Sequence, residues 1–458
     1  MIPIVTPAEM RAIDAAALEP VEVLIARASA AVTRAAIVML GGAYGRRVLV
    51  IAGRGFNGED GRLAAQLLAR RGAACTLYSP SDEIAGRDLA RADLVIDAAY
   101  GTGFVDRGGW MPSDVGGVPT LAVDIPSGVD ALTGEAIPGV LAARRTVSFA
   151  ALKPGLMLGA GRDLAGEVEL VDIGLDTTRA SAHQVEDRDV ASWLPGRAGD
   201  AHKWQSACWV IAGSSGMTGA AHLAARAAYR AGAGYVRLSS PGVDVDPAAP
   251  TEAVLVALGR DDWAGQVIDD ASRFKAVVVG PGLGRAGATD AQVRELVAAA
   301  PIPVVVDGDG LSALGFDVEQ ICRSRPAATV LTPHDGELAR LIGRDPGPDR
   351  FALARSLSAA AGAVVLLKGR TTIVAEPHGQ VLVASAGDAR LATAGTGDVL
   401  SGIIGAFVAR GMDPWRAAAA AAHVHGRVGS ARPAQGLVAG DLVTALPGVL
   451  TGLAPVGR

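Results

Sequence analysis

The segment Gly387–Gly402, GDARLATAGTGDVLSG, sets a carboxylate at the head of an apolar run. Gly395-Thr396-Gly397 turns the chain, Asp398 follows, and the pattern beyond reads as a helix through Val399–Arg410. Glycine N–H groups at such a helix start can hold a phosphate anion, and Asp398 can take a proton from a hydroxyl. Three earlier apolar runs also end in oxygen-bearing side chains. Arg47–Gly61, RVLVIAGRGFNGEDG, reads as a strand ending in a Gly-rich turn that carries Asn57 and Asp60, with a helix starting at Arg62–Arg71. Leu94–Phe104, LVIDAAYGTGF, places Asp97 at a strand end, and Leu121–Asp130, LAVDIPSGVD, places Asp124 and Ser127 at another. Ligands of open parallel sheets bind outside the carboxyl ends of the strands. Oxygen-only side chains with no His/Cys cluster suit a hard cation. At the first of these ends a packing role for the glycines stands beside the functional one.

Further candidates lie in the second half. Lys368 ends the apolar strand of LLKGRTT, where a cation usually has an anionic partner. His334 follows Thr332-Pro333 and serves equally as a ligand contact or as a loop hydrogen-bonding group. His423 and His425 sit in an Ala-rich helix and are expected to make internal hydrogen bonds.

These residues need strands to carry them. Short Val/Ile/Leu runs alternate with Ala-rich helical stretches along the chain. In the first half the expected strands are Arg47–Ala52, Ala74–Tyr78, Leu94–Asp97, Thr120–Ile125, Thr146–Phe149 and Glu167–Ile173. Continuous apolar runs of this length fit a parallel sheet covered on both faces. Thr6-Pro7-Ala8-Glu9 reads as an N-cap, a proline and an acidic first turn ahead of an amphipathic helix. The pattern lapses over Asp176–Asp200, taken as a linker with room for a short strand or helix. A second series runs through Ala207–Ala212, Tyr235–Leu238, Ala276–Gly280, Pro303–Asp307, Thr329–Thr332, Val364–Lys368, Thr371–Ala375 and Val381–Ser385. Two consecutive three-layer α/β/α domains follow, residues 1–195 (the linker from about 176 included) and 196–458.

Composition narrows the partners. Of 458 residues, 42 are Lys or Arg and 47 are Asp or Glu, a net charge of −5 with no basic block, which argues against nucleic acid. Only 4% are aromatic, too few for a base-stacking surface. Half are hydrophobic, yet no run of about 18 apolar residues occurs, so no membrane span is expected. Glu9, Arg11 and Asp14 stand where a signal peptide would be apolar, and a cytoplasmic protein is expected. Cys75, Cys208 and Cys322 form neither a disulfide framework nor a zinc spacing.

AVDIPSGVDALTGE at Ala122–Glu135 and ALKPGLMLGAGRDLAGEVELVDIGL at Ala151–Leu175 resemble the NAD(P)H-hydrate epimerase domain. The resemblance implies a Rossmann-like fold interconverting R and S hydrates of NAD(P)H around a potassium ion. Asn57, Asp97 and Ser127 match its potassium ligands. Phe56, Asn57, Gly58, Glu59, Asp60, Gly101, Thr102, Gly103, Phe104, Val105, Asp106, Arg107 and Asp124 match hydrate-binding positions, and Asp124 is a catalytic candidate. The usual loop is Asn-Asn-Gly-Gly-Asp-Gly; here Phe56 replaces a polar residue and Glu59 a glycine. An obstructing Glu59 would leave epimerisation weak or lost.

HKWQSACWVIAGSSGMTGAAHLAARAAYRAGAG at His202–Gly234, VVVGPGLG at Val277–Gly284, LTPHDGELARL at Leu331–Leu341, LLKGRTT and the Gly-Thr-Gly-Asp turn together resemble the ADP/ATP-dependent NAD(P)H-hydrate dehydratase of the ribokinase-like superfamily. The resemblance implies that Lys368, Gly369, Arg370, Thr371, Thr372, Gly395, Thr396 and Gly397 hold ADP, accompanied by magnesium. It further implies that Ala220, Gly284, His334 and Asp398 line the hydrate site, with Asp398 catalytic. The expected partners are small molecules, NADHX or NADPHX with ADP or ATP, in a homo-oligomer. The rival reading is a vitamin-precursor kinase with a non-catalytic N-terminal module.

Overall fold

The computed structural model describes residues 1–105, 115–196 and 199–453. The chain divides into two compact units, Ile2–Ala182 and His183–Arg458. The division falls earlier than the expected boundary at 195. Within the span read as a linker, the helix Asp187–Trp193 forms and belongs to the second unit, where Asp187 meets His423 Nε2 at 2.7 Å and Arg427 at 3.0 Å.

In the first unit six strands lie in the order Ala74–Tyr78, Arg47–Ala52, Leu94–Ala98, Thr120–Val123, Arg145–Phe149, Glu167–Val171, every neighbouring pair parallel. Val48, Val50, Ile96, Leu121 and Val147 face a core shared with the helices Val21–Leu40 and Phe56–Ala69, while Leu49, Ile51 and Val95 face the other side. Both faces of the inner strands are therefore dry, which explains their apolar runs, while the edge strands Ala74–Tyr78 and Glu167–Val171 are partly exposed. Sequence order reverses between Arg47–Ala52 and Leu94–Ala98: one strand's successor lies to one side, the other's to the opposite side. The crevice where an open sheet binds ligands thus opens beside Gly53 and Ala99.

The helix after the first of these strands starts at Phe56, six residues before the expected Arg62, and takes in the glycines read as a turn. Its entry is tight. A Cβ on Gly58 would stand 1.9 Å from the Gly53 carbonyl oxygen, so only glycine fits there. Thr6 caps the helix Pro7–Ala15 in a capping box with Glu9, as the sequence predicts. Val21–Leu40 is the one helix among the described residues long and apolar enough to cross a membrane. Its Ala28, Ala31, Val32, Ala35, Ala36 and Leu40 are spent on the sheet, which makes it a core helix.

In the second unit the strands run Val381–Ala384, Thr372–Ala375, Val364–Leu367, Thr329–Leu331, Val304–Val306, Ala276–Val279, Ala207–Ile211, Tyr235–Ser239, Val254–Leu255. The first three pair antiparallel and the rest parallel. Helices lie on both sides of the sheet. Thr218–Arg230, Thr396–Ala409, Pro414–Ser430 and Ala439–Leu453 share one core with it. Ala417–Ala422 is wholly buried there, the thin helix face that an alanine run favours. Gly402 lets the helix Thr396–Ala409 lie on Thr218–Arg230, since its Cβ would meet the Ala224 carbonyl at 2.2 Å. All three cysteines are free; Cys208 and Cys322 are buried, and Cys75 is half-buried.

Candidate active sites

The crevice of the first unit is a cavity of about 870 Å³. Asp124 stands at its floor with φ of 68°, a left-handed conformation that Asp tolerates better than most residues. Its Oδ1 meets Lys153 Nζ at 2.6 Å, and its Oδ2 accepts from the Thr102 N–H at 2.9 Å and from the Thr102 hydroxyl. Lys153 is 1% exposed and also donates to the Phe149 carbonyl and Ser148. Burial alone would push the Asp124 carboxyl up; the Lys153 ammonium and the Thr102 donors outweigh it and hold the group below its ordinary value. Asp60 goes the other way. Burial, then the charges of Asp124 and Glu59, raise it to about 8, and its Oδ1 has no partner. One cavity thus carries an ionised and a protonated carboxyl at neutral pH.

Below the crevice Asp97, 1% exposed, accepts from the Ser127 hydroxyl at 2.6 Å and the Ser127 N–H at 2.8 Å. Burial raises its carboxyl against these hydrogen bonds. Asn57 lies against Gly101, and both its amide atoms are buried without a partner. Phe56, Asn57, Asp60, Gly101, Thr102, Gly103, Phe104, Val105 and Asp124 all line the cavity. Gly58 packs on Gly53 instead, and Glu59 is exposed and outside the lining. Asp106 and Arg107 fall outside the described residues.

In the second unit the helix Thr396–Ala409 opens on Gly395 with φ of 87° and no side-chain cap; the Thr396 N–H donates to the Thr393 carbonyl, and the Gly397 and Asp398 amides that follow can serve an anion. A Cβ on Gly397 would stand 3.7 Å from Lys368 Nζ and 3.8 Å from Asp307 Oδ2. Lys368 Nζ meets Asp307 Oδ1 at 2.8 Å and Glu337 Oε2 at 3.4 Å, so the strand-end cation has the anionic partners its position requires. Burial raises Asp398 to about 7, helped by Asp307 and Asp309 and opposed by Lys368. His334 caps the helix Asp335–Ile342: its Nδ1 accepts from the Gly336 and Glu337 N–H groups, leaving Nε2 as the donor. Ala220, Gly282 and Gly284 gather near Met217, and Asp309 accepts the Gly284 N–H at 2.9 Å. Gly369, Arg370 and Thr371 form the turn after Lys368, with Thr371 buried in it, and Thr372 opens the strand Thr372–Ala375. His425 is buried against the Thr396 backbone, its imidazole held neutral by burial, at about 4.

The profile of the NAD(P)H-hydrate dehydratase family matches residues 208–449, and that of the YjeF-related protein N-terminus matches 77–155. A bifunctional NAD(P)H-hydrate repair enzyme of Mycobacterium tuberculosis is 40% identical over 83% of this chain and 82% of its own. That of Moorella thermoacetica is 35% identical over 89% of this chain and 88% of its own. The chain belongs to the bifunctional NAD(P)H-hydrate repair enzyme family. A ribokinase-like superfamily protein of Enterococcus faecalis, 22% identical with a TM-score of 0.53, covers 60% of this chain and 97% of its own and agrees with the fold of the second unit. The repair-enzyme matches span both units, and the kinase alternative is not favoured.

Several site residues escaped the sequence. Lys153 was legible only as an ordinary Lys-Pro after a strand. Asp307 carries the same signal that picks out Asp97, an apolar strand ending in aspartate, in VVVDGDG. Ser401 and Glu337 gave no sign at all, because their roles depend on contacts across the sheet.

Proposed function

We propose that the second unit dehydrates the S epimer of NAD(P)H hydrate with ADP or ATP, and that the first interconverts the R and S epimers. The carrying observation is Asp398 beside an uncapped helix start and the Lys368–Asp307 pair: a carboxylate poised near neutral pH next to an anion-binding turn. Asp398 takes the proton of the hydrate hydroxyl while that oxygen attacks the terminal phosphorus of the nucleotide. With ADP this leaves AMP and a phosphate ester. Loss of the ester as inorganic phosphate, with the neighbouring ring proton, restores the double bond of NAD(P)H. The helix amides and Lys368 stabilise charge on the phosphoryl oxygens. His334 Nε2–H, Ala220 and Gly284 would meet the hydrate, and Lys368–Thr372 with Gly395–Gly397 the nucleotide.

Among the described residues no group of three or more acidic, His or Cys side chains is arranged to hold a metal alone. Magnesium would therefore arrive on the nucleotide phosphates, largely hydrated. A potassium ion fits the first unit better. The orphaned Asn57 amide oxygen, the buried Asp97 carboxylate and the Ser127 hydroxyl are the hard oxygen donors it takes, and the ion would offset the buried charge of Asp97. In epimerisation the ionised Asp124 accepts a proton from the hydrate and Lys153 keeps it ionised.

Mixed R and S hydrate with ADP tests both halves through the absorbance of the reduced nicotinamide. Wild type is expected to recover all of it faster than spontaneous epimerisation allows. Asp124→Asn, a residue that also accepts positive φ, recovers only the S fraction. No recovery by wild type defeats the dehydratase reading; equal recovery by the variant defeats the role of Asp124.

A further inference from the structure

Asp307 follows the strand Val304–Val306 and is 2% exposed. Its Oδ1 accepts from Lys368 Nζ and from the Thr332 hydroxyl, each at 2.8 Å; its Oδ2 accepts from the Ser401 hydroxyl at 2.6 Å. These partners come from three different elements: the end of Val364–Leu367, the end of Thr329–Leu331, and the second turn of the helix Thr396–Ala409. Ser401 Oγ also lies 3.1 Å from the Gly397 carbonyl oxygen, so the carboxylate is bound into the turn that opens that helix. A buried charge is held at a cost in desolvation, and apolar residues of similar size commonly stabilise a core as well or better. A charged group kept at this point is therefore better accounted for by the site above it than by packing.

We propose that Asp307 is a positioning residue for dehydration: it fixes the Lys368 ammonium and the anion-binding helix in register and presents a fixed negative charge to Asp398. The proposal rests on the dehydratase reading and adds to it a residue that touches neither substrate. The charged groups acting on Asp398 are Asp307 and Asp309, which disfavour its ionisation, and Lys368, which favours it. Glu337 lies on the far side of Lys368, Arg285 pairs with Asp309 at 3.1 Å, and His425 beneath Thr396 is neutral. Removing the charge of Asp307 leaves Asp398 facing an ammonium paired with Glu337 alone, and without the repulsion of Asp307, so Asp398 ionises at lower pH.

The experiment is the pH dependence of kcat with S hydrate and ADP for wild type, Asp307→Asn and Ser401→Ala, with KM for ADP alongside. Asp307→Asn keeps the shape and removes the charge. Its acidic limb is expected to move down by about half a pH unit or more, and its KM for ADP to rise severalfold. Ser401→Ala keeps the charge, so its limb stays where wild type has it. An unmoved limb with unchanged KM in Asp307→Asn overturns the proposal, as does an equal shift in Ser401→Ala. If Asp307→Asn does not fold, Asp307→Glu retains the charge but displaces it: the limb stays and KM for ADP rises, and an unchanged KM is the contrary result. A wild type without dehydratase turnover refutes the underlying reading instead, so the two failures are distinct.

Discussion

At the scale of single residues, Asp398 must be ionised to accept a proton. With its carboxyl at about 7, turnover should rise through neutral pH and level above it. Asp398→Asn is expected to lower kcat by about 10²–10⁴-fold and to erase that limb, while ADP affinity measured by calorimetry changes little. In the first unit two departures from the usual loop separate in space. Glu59 is exposed and outside the cavity lining, so its side chain does not obstruct the cavity, which its charge reaches only through Asp60. Phe56 is 63% exposed and lines the same cavity as Tyr100 and Phe104, whose rings lie 5.3 Å apart. Glu59→Gly should therefore leave the epimerisation rate unaltered. Phe56→Asn removes a flat apolar surface suited to a substrate with two ring systems and should raise KM for the hydrate about tenfold, with kcat less affected. Steady-state epimerisation assays on the two single variants give the answer; a rate gain in Glu59→Gly would restore the obstruction argument.

At the scale of elements, Gly58 governs how the helix Phe56–Ala69 leaves its strand. A methyl group there would meet the Gly53 carbonyl at 1.9 Å, and backbone on both sides has to move. Gly58→Ala is expected to cost about 1–3 kcal/mol in the unfolding of the first unit and to abolish epimerisation, because Asn57 and Asp60 ride on the displaced turn. Thermal unfolding and a dehydratase assay on the same sample check it; intact dehydratase with lost epimerase is the expected pair. The inner strands were legible because they are dry apolar runs, and where a strand was expected its observed ends differ from the expected ones by two residues or fewer; the exposed two-residue strand Val254–Leu255 was not foreseen. The start of the helix at Phe56 was not, because glycine propensity argues for a turn and only the tertiary fit of Gly53 and Gly58 overrides it. The antiparallel run Val364–Ala384 was equally hidden: strand direction depends on pairing, which apolar runs do not encode. The candidate sites were read where a motif ends a strand, as at Asp97, Asp124 and Asp398. They were missed where a partner arrives from another element, as Lys153 does for Asp124 and Ser401 for Asp307.

At the scale of the molecule, each unit has its own core and its own site, so a ligand of one should stabilise that one. A potassium ion bound through Asp97, as proposed above, would stabilise the first unit by mass action, by about 2.7 kcal/mol at a hundredfold excess over Kd, and so raise its unfolding temperature. Scanning calorimetry in potassium against sodium chloride at equal ionic strength should show that shift in wild type and not in Asp97→Asn; no shift in wild type removes the ion from the site. The buried cysteines bear on where such a protein can work. Burial pushes the Cys208 thiol up to about 12 and Cys322 up to about 11, and raises Cys75 as well. Peroxide and electrophiles attack the thiolate, and at neutral pH these side chains hold almost none. With no thiol in either site, cysteine oxidation offers no route by which to switch the chain off, and both activities should outlast thiol-directed reagents that inactivate thiol-dependent enzymes.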